Sequence, residues 1–510
     1  MSNDRIPRAG LPARGGAARD NGPRRSFALL PRRVPFAGLS AALLGVLALS
    51  ACGTSLPTQR GIEPRPLGRD LPSFQVPEDS HAVLPGAGAA NAAEFPAPTG
   101  ALRLQEALAT ALMHNPELAA FGWNVRAAQA RILQASLRPN PELQAQGQSV
   151  SATGLHSGLS PLTITAMISQ PILTGGEIAK RTRVAQLERD LAAWDYEAKR
   201  LDVFTEVVQR FVGVLAGQRR LAVAERTFEL ANQVYQTVSR QVAAGAVSPI
   251  EQTRAKAERA LNRIGLQRAK RRLEAARQAL AKALGLAEPT FEEVVGELAR
   301  VQPVPPLEIL DDFLSQNPAV ARWETVLAER RAEIELAEAE GLPDVTPGIG
   351  VLYLPGFDFT AGVVSLSMPL PLFDRNQGNI QAARAELMQA RQQRRAAIVR
   401  VRAALGQRYQ TLQAALAAAT GLAEQALPAA RSAYEAVLTA YRRGERGFLD
   451  VLIAQRTLFE LKTRYVEVLA EYHRTAAAVE RLIARPLSTA ALDGTARPED
   501  GNSAEEEDTP

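Results

Sequence analysis

AYRRGERGFLDVLIAQRT, Ala440 to Thr457, breaks a long run of helix-forming residues, which then resumes at once. Gly444 and Gly447 sit in the break, with charges packed around both. A partner to this stretch, AAGAVSPIEQTRAKA (Ala243 to Ala257), lies upstream, and Gly245 precedes Gly444 by 199 residues. Two other landmarks recur at nearly the same spacing. His114-Asn115-Pro116 answers Gln316-Asn317-Pro318 at 202 residues, and Ser169-Gln170-Pro171-Ile172-Leu173 answers Pro369-Leu370-Pro371-Leu372-Phe373 at 200. Landmarks kept in one order at one offset mark an internal duplication. The core is therefore two repeats of about 200 residues, assigned to 101–300 and 305–487.

Both repeats carry the same succession of patterns. A first helix (Leu102 to Ser136; Leu307 to Glu340) leads to two strand-like segments. These are Pro141 to Ala152 and Pro161 to Ile172 in the first repeat, and Thr346 to Leu354 and Asp358 to Leu370 in the second. The alternation in VVSLSM is the period of a half-buried strand. Very long helices follow, Glu177 to Ala244 and Gln377 to Arg443, each ~100 Å at 1.5 Å per residue. A glycine turn and a returning helix (Ser248 to Leu286; Gly447 to Leu482) close each repeat. Helices of that length pack along their sides. Ile398, Val401, Leu405, Tyr409, Leu412 and Leu416 form one heptad stripe, and Leu458, Leu461, Tyr465, Val468 and Tyr472 form another. Pro428 removes a backbone donor, so a kink is expected in the second long helix.

Composition agrees with this architecture. Aromatic residues make up 5% of the chain, low for a packed globular enzyme. The net charge of +5 is carried by residues 1–51, which hold eight Arg and two Asp, so residues 52–510 sum to −1. Nucleic-acid binding thereby loses its electrostatic support. Arg24, Arg25, Arg32 and Arg33 precede the uncharged apolar stretch Val34 to Leu49, the layout of a secretory signal. That stretch ends Leu49-Ser50-Ala51-Cys52, the pattern of a bacterial lipoprotein cleavage box, and Cys52 is the single cysteine. Residues 1–51 are read as a signal peptide, Cys52 as the site of a covalent lipid, and 52–100 as a Pro/Gly/Ala-rich arm. Residues 488–510 are read as an acidic disordered tail.

Four alternating strands per chain are too few to close a membrane barrel. Lipid cannot satisfy open edges, and the smallest single-chain barrels need about eight strands. Three chains would supply twelve; the alternative is a small soluble β-sheet capping a coiled coil.

With LSAC come LQEALATALMHNPEL (Leu104 to Leu118), QPILTGGEI (Gln170 to Ile178), MPLPLFDRNQGNI (Met368 to Ile380) and the paired glycine turns. Together they resemble the TolC-type outer membrane efflux proteins, and within them the outer-membrane components of cobalt–zinc–cadmium-type resistance systems. The resemblance implies a mainly α fold with a small β part, assembled as a homotrimer. Twelve strands would form a barrel in outer-membrane lipid, and the helices a coiled-coil tube in the periplasm. It also implies a periplasmic adaptor and a proton-driven inner-membrane pump of the resistance-nodulation-division class, with no cofactor and no catalysis. Heavy-metal cations are the expected cargo; drug efflux or type I secretion is the alternative.

By position in that family, Tyr441 and Arg446 match a constriction network and Asp450 a gate aspartate. Glu251 stands where the first repeat carries an aspartate, and Ile453 occupies the place of a second gate aspartate. A ring of carboxylates attracts cations at close quarters, although charges at a helix turn also serve as ordinary caps. Gly245 and Gly444 suit tight turns needing positive φ, and Val247, Phe448 and Leu449 are candidate adaptor contacts. The histidines His81, His114, His156 and His473 make no metal-binding spacing. The competing reading of another class is a lipid-anchored coiled-coil scaffold without a pore.

Overall fold

In the computed structural model, residues 62–74, 76, 98–148, 162–443 and 445–488 are described. The signal segment with Cys52, the acidic tail and Gly444 lie outside them, as do His81 and His156.

The first repeat runs β1 (Gly100–Arg103), α1 (Leu104–His114), α2 (Pro116–Ser136), β2 (Glu142–Gln148), β3 (Thr163–Ser169), α3 (Glu177–Ala243), α4 (Pro249–Ala283) and β4 (Phe291–Val295). The second runs α5 (Leu307–Asp312), a 3-10 turn (Phe313–Gln316), α6 (Pro318–Glu340), β5 (Thr346–Leu354), β6 (Phe359–Ser367), α7 (Gln377–Gly421), α8 (Leu427–Arg442) and α9 (Phe448–Ile483). No helix among the described residues is long and apolar enough to cross a membrane.

The expected single first helix is two helices in each repeat. The break falls at the Asn-Pro landmark, because Asn caps a new helix and Pro fits its first position. Asn115 Oδ1 accepts from the Glu117 and Leu118 amides at 2.9 and 3.2 Å, and Asn317 Oδ1 accepts from Ala319 at 2.8 Å. At the start of the long helices the repeats differ. Gly175 and Gly176 take φ of 64° and 73° before α3, whereas Asn376 takes 59° before α7. Glycine and asparagine are the residues that reach this left-handed region at least cost.

α3 is unbroken for 67 residues. Its counterpart is not. α7 passes through a π turn at Leu422–Ala426 into α8, with the Leu427 amide bonded to Leu422 O. The carbonyl that Pro428 cannot serve is that of Glu424, inside this turn. The helix has already shifted to wider bonding there, so the accommodation precedes the proline instead of following it.

α3 packs against α4, α2, α6 and α9, while α9 also packs against α7 and α8. The expected seams are interior: Val401, Leu405, Leu412, Leu458, Val468 and Tyr472 are buried, with Ile398, Tyr409, Leu416, Leu461 and Tyr465 half-buried. One core cluster gathers α1, α3, α4 and α9 with β4; a second gathers α5, α7 and α9.

Two features depart from the sequence reading. β1 and β4 form a parallel two-stranded sheet joining the ends of the first repeat. And part of the arm is docked instead of acting as a free tether. The Leu67 amide bonds Ala484 O at 3.1 Å, and Leu67 is buried with Leu201 and Ala484. Beneath it Glu197 and Arg200 form a buried pair. Arg200 Nη1 donates to Gly68 O at 3.1 Å and Nη2 to Arg65 O at 3.2 Å, while Glu197 Oε1 accepts from the Arg65 amide at 2.8 Å.

Candidate functional site: the sheet and the helical tip

β2, β3, β5 and β6 form one antiparallel sheet in that order, so the two repeats each contribute a hairpin and meet at β3–β5. The register aligns Leu143 with Ile168, Ile168 with Ile349, and Ile349 with Val364. All four are exposed, Val364 at 83% and Leu143 at 76%. Alternation places Ile164, Val351 and Tyr353 on this same face. The opposite face carries Gln144, Gln146, Thr165, Ser169 and Ser365. That opposite face also carries Met167, Leu352, Val363 and Phe359, so one face is apolar and exposed and the other is mixed. A soluble sheet capping a coiled coil buries its apolar face; this one presents it outward, the pattern of a membrane-barrel segment. β2 and β6 each leave an edge unpaired within the chain.

At the other end of the helices lie the two turns. α3 closes on Gly245, whose φ is 70°: the Gly245 amide bonds Val242 O at 3.0 Å and the Ala246 amide bonds Gln241 O at 2.9 Å. This double closure is the Schellman arrangement. The second hairpin repeats its outer bond, Glu445 amide to Ala440 O at 3.0 Å. The returning helices start alike. Ser248 Oγ accepts from the Ile250 amide, and Asp450 Oδ2 accepts from the Gly447 amide at 3.3 Å.

Glu251 and Asp450 therefore occupy the same position, the third residue of a returning helix. A carboxylate there satisfies an orphan amide and complements the helix dipole. Asp450 does this directly. Glu251 pairs with Arg254 at 2.9 Å and leaves Oε2 buried without a partner.

The remaining site residues separate into two groups. Arg446, Asp450 and Ile453 line one open groove between α8 and α9, with Ala436, Val437 and Ala440. No ion pair joins Arg446 to Asp450 among the described residues. Tyr441 points the other way, into the interface between hairpins, where its hydroxyl donates to Gln241 Oε1 at 3.3 Å. Its ring lies 6.0 Å from that of Phe448. Phe448 is buried with Val238 and Ala255, and Val247 packs at the edge of that cluster. Of the three candidate docking residues only Leu449 stands exposed, as does Ile250, its equivalent 199 residues earlier at the first turn. Gln241 and Ile250 were missed by motif reading. The duplication offset marks Gln241 as a tip position, since it is the equivalent of Ala440, 199 residues later.

The described histidines do structural work. His473 Nε2 contacts Leu298 O at 2.8 Å and His114 Nδ1 contacts Thr110 O at 3.1 Å. Burial pushes the His473 imidazole below its ordinary pKa. Among the described residues no group of three His, Cys, Asp or Glu could hold a metal ion.

The family model "Outer membrane efflux protein" matches residues 107–286 and 309–485. The cobalt-zinc-cadmium resistance protein CzcC of Cupriavidus metallidurans is 32% identical over 386 residues, 76% of this chain and 91% of that protein. The nickel-cobalt-cadmium resistance protein NccC of Alcaligenes xylosoxydans xylosoxydans is 27% identical, over 59% of this chain and 67% of that protein. Among solved structures, CusC superposes with a TM-score of 0.64 at 16% identity, covering 81% of this chain and 99% of its own.

Proposed function

The chain belongs to the outer membrane efflux protein family, and on that premise we propose that three copies form the exit duct of a heavy-metal efflux pump. In this reading the sheets of three chains close into one twelve-stranded barrel in the outer membrane. The hairpins of α3–α4 and α7–α9 join into a periplasmic tube whose tips meet a periplasmic adaptor. An inner-membrane proton-driven pump supplies the cargo, and a lipid on Cys52 anchors the arm. The chain supplies a passage and a gate; it carries out no chemistry.

The observation that carries this reading is the sheet. Its apolar row Leu143, Ile168, Ile349 and Val364 is exposed, while Gln144, Gln146, Thr165 and Ser365 lie among apolar side chains on the other face. Two free edges in each copy are satisfied when neighbouring copies pair β2 with β6. Divalent metal cations as the cargo rest on the relatives whose names carry metal resistance, one of them 32% identical. At the tip, Arg446 in the groove with Asp450 can hold the passage narrow through a charge-assisted bond that forms between copies.

The test pairs the two faces of the sheet. Ile349→Arg places a charge in lipid, at a cost of ~2–4 kcal/mol at mid-depth, and should remove the protein from the outer membrane. Ser365→Arg should leave insertion intact and shift the reversal potential in planar bilayers toward anions. Equal tolerance of both variants would refute the barrel. A deletion strain should become sensitive to cobalt, zinc or cadmium salts before it does to drugs; the reverse order would refute the cargo.

A further inference from the structure

Rising from the tip cluster, α3 forms the floor of a long groove whose walls are α4 and α9. Its lining holds seven arginines against Glu258, Glu460 and Glu467, a net +4. Some are neutralised in place: Arg456 pairs with Glu460 at 2.8 Å, and Arg220 and Arg464 share Glu467 at 3.5 and 3.7 Å. Arg268, Arg272 and Arg474 have no carboxylate within ion-pair distance among the described residues. Burial, and then the like charges of Arg220 and Arg210, hold the Arg474 guanidinium below its ordinary pKa. Like charges gathered in this way repel unless something of opposite sign lies among them.

A second observation comes from Gln455. It lines the same groove, is 4% exposed, and its Oε1 has no hydrogen-bond partner. A buried amide oxygen without a donor costs roughly 1–3 kcal/mol. The groove therefore wants an occupant that carries anionic side chains together with N–H groups, as a peptide does.

The chain contains such a peptide. Residues 489–510 hold seven carboxylates and one arginine, a net −6. With +6 on residues 1–51 and +5 on the whole, residues 52–488 carry 5 − 6 + 6 = +5, of which the groove lining accounts for +4. Distance permits the match. Arg474, the groove residue nearest the end of α9, is nine residues from Ile483, ~14 Å at the helical rise. The farthest, Leu452, lies ~33 Å beyond it. Twenty-two residues reach about 70 Å when extended.

We infer that residues 489–510 lie along the arginine groove between α4 and α9 of their own chain, as an electrostatic strap over α3. The strap neutralises Arg268, Arg272 and Arg474, and a turn of the buried Gln455 side chain lets its Oε1 accept one of the strap's N–H groups. It bridges the two hairpins where α4 and α9 flank the groove without filling it.

The experiment uses the full chain in membranes, with benzoylphenylalanine replacing Leu261, a groove residue 63% exposed. Irradiation should give an adduct at monomer mass that maps by mass spectrometry to residues 489–510. Raising salt to about 1 M, where screening acts within ~3 Å, should reduce the adduct at least fivefold. Replacing Glu505, Glu506 and Glu507 with Gln should also reduce it. The same label at Val399, exposed on α7 outside the groove, should give none. The inference is overturned by an adduct free of residues 489–510, by one that joins two copies or another protein, or by equal capture from Val399.

Discussion

Asn115 and Asn317 perform one task in two places. Each caps its helix, and each sends its Nδ2 to the last turn of the returning helix of its own repeat: Asn115 to Ala283 O at 3.2 Å, Asn317 to Leu482 O at 2.8 Å. The amide groups thus tie the start of each repeat to the end of its hairpin. Buried at 8% and 1% exposure, neither has water to fall back on.

Asn317→Ala removes a cap and leaves Leu482 O without its bond, a loss of about 1–3 kcal/mol. Asn317→Ser keeps a capping oxygen and loses the tie. Thermal unfolding should rank wild type above Ser and Ser above Ala; an unchanged midpoint for Ala would show that the tie carries no stability.

Two glycines with positive φ differ in what surrounds them. A Cβ on Gly285 would stand 2.5 Å from His114 O, whereas one on Gly245 meets nothing within 4 Å. Gly245→Ala should cost ~1–2 kcal/mol from backbone conformation alone. Gly285→Ala should cost distinctly more, since it also forces α4 away from the Asn115 junction. Comparable costs in denaturant titrations would contradict the contact.

The Glu197–Arg200 pair holds the arm. Arg200→Ala strands a buried carboxylate and should cost about 3–5 kcal/mol, with protease sensitivity appearing first between residues 62 and 74. Replacing both, Glu197→Leu with Arg200→Met, should recover most of the stability without restoring arm protection. If the arm stays protected in the double variant, the guanidinium bonds to Arg65 O and Gly68 O are not what seats it.

Burial raises the Glu480 carboxyl to about 7, partly offset by its bond from the Leu487 amide at 2.9 Å. The folded chain holds this proton more tightly than the unfolded one. Its contribution is full below the ordinary carboxylate value near 4.5 and is lost as pH rises through about 7. Hydrogen exchange at Leu487 should quicken between pH 6 and 8 beyond the intrinsic trend. In Glu480→Gln that excess should vanish.

Tyr441→Phe breaks the hydroxyl bond between hairpins, and Arg446→Ala removes a charge from the α8–α9 groove. Together they should raise single-channel conductance several-fold at neutral pH, with the tyrosine change alone loosening the tip by ~0.5–1.5 kcal/mol. Conductance equal to wild type would show that these residues serve the turn and not a gate.

What the sequence disclosed follows from which forces are local. The strand Thr346–Leu354 is legible because alternation is written residue by residue, and the ends of the long helices because their end signals are also local, whereas the π turn at Leu422–Ala426 inside the second is not. The break at Asn115-Pro116 was legible as a cap followed by proline, yet the apolar period running through LQEALATALMHNPEL masked it. β1 and β4 pair across 192 residues, as in Leu102 with Val294, and nothing within four residues of β1 announces a parallel partner. The docking of Leu67 likewise depends on Glu197, Arg200 and Ala484, so composition alone described a tether. At the tip, residue types were legible and directions were not. Tyr441 and Arg446 are five apart and leave the helix end toward opposite sides, which only the packed hairpins reveal.

The bond from the Leu67 amide to Ala484 O has a consequence for the order of synthesis. The arm emerges early, but its seat is finished only when residue 484 is in place. Until then Leu67 has no apolar cover on that side. A chain cut short anywhere in α9 therefore keeps a loose, cleavable arm, and the seating of its beginning certifies that its end has been made.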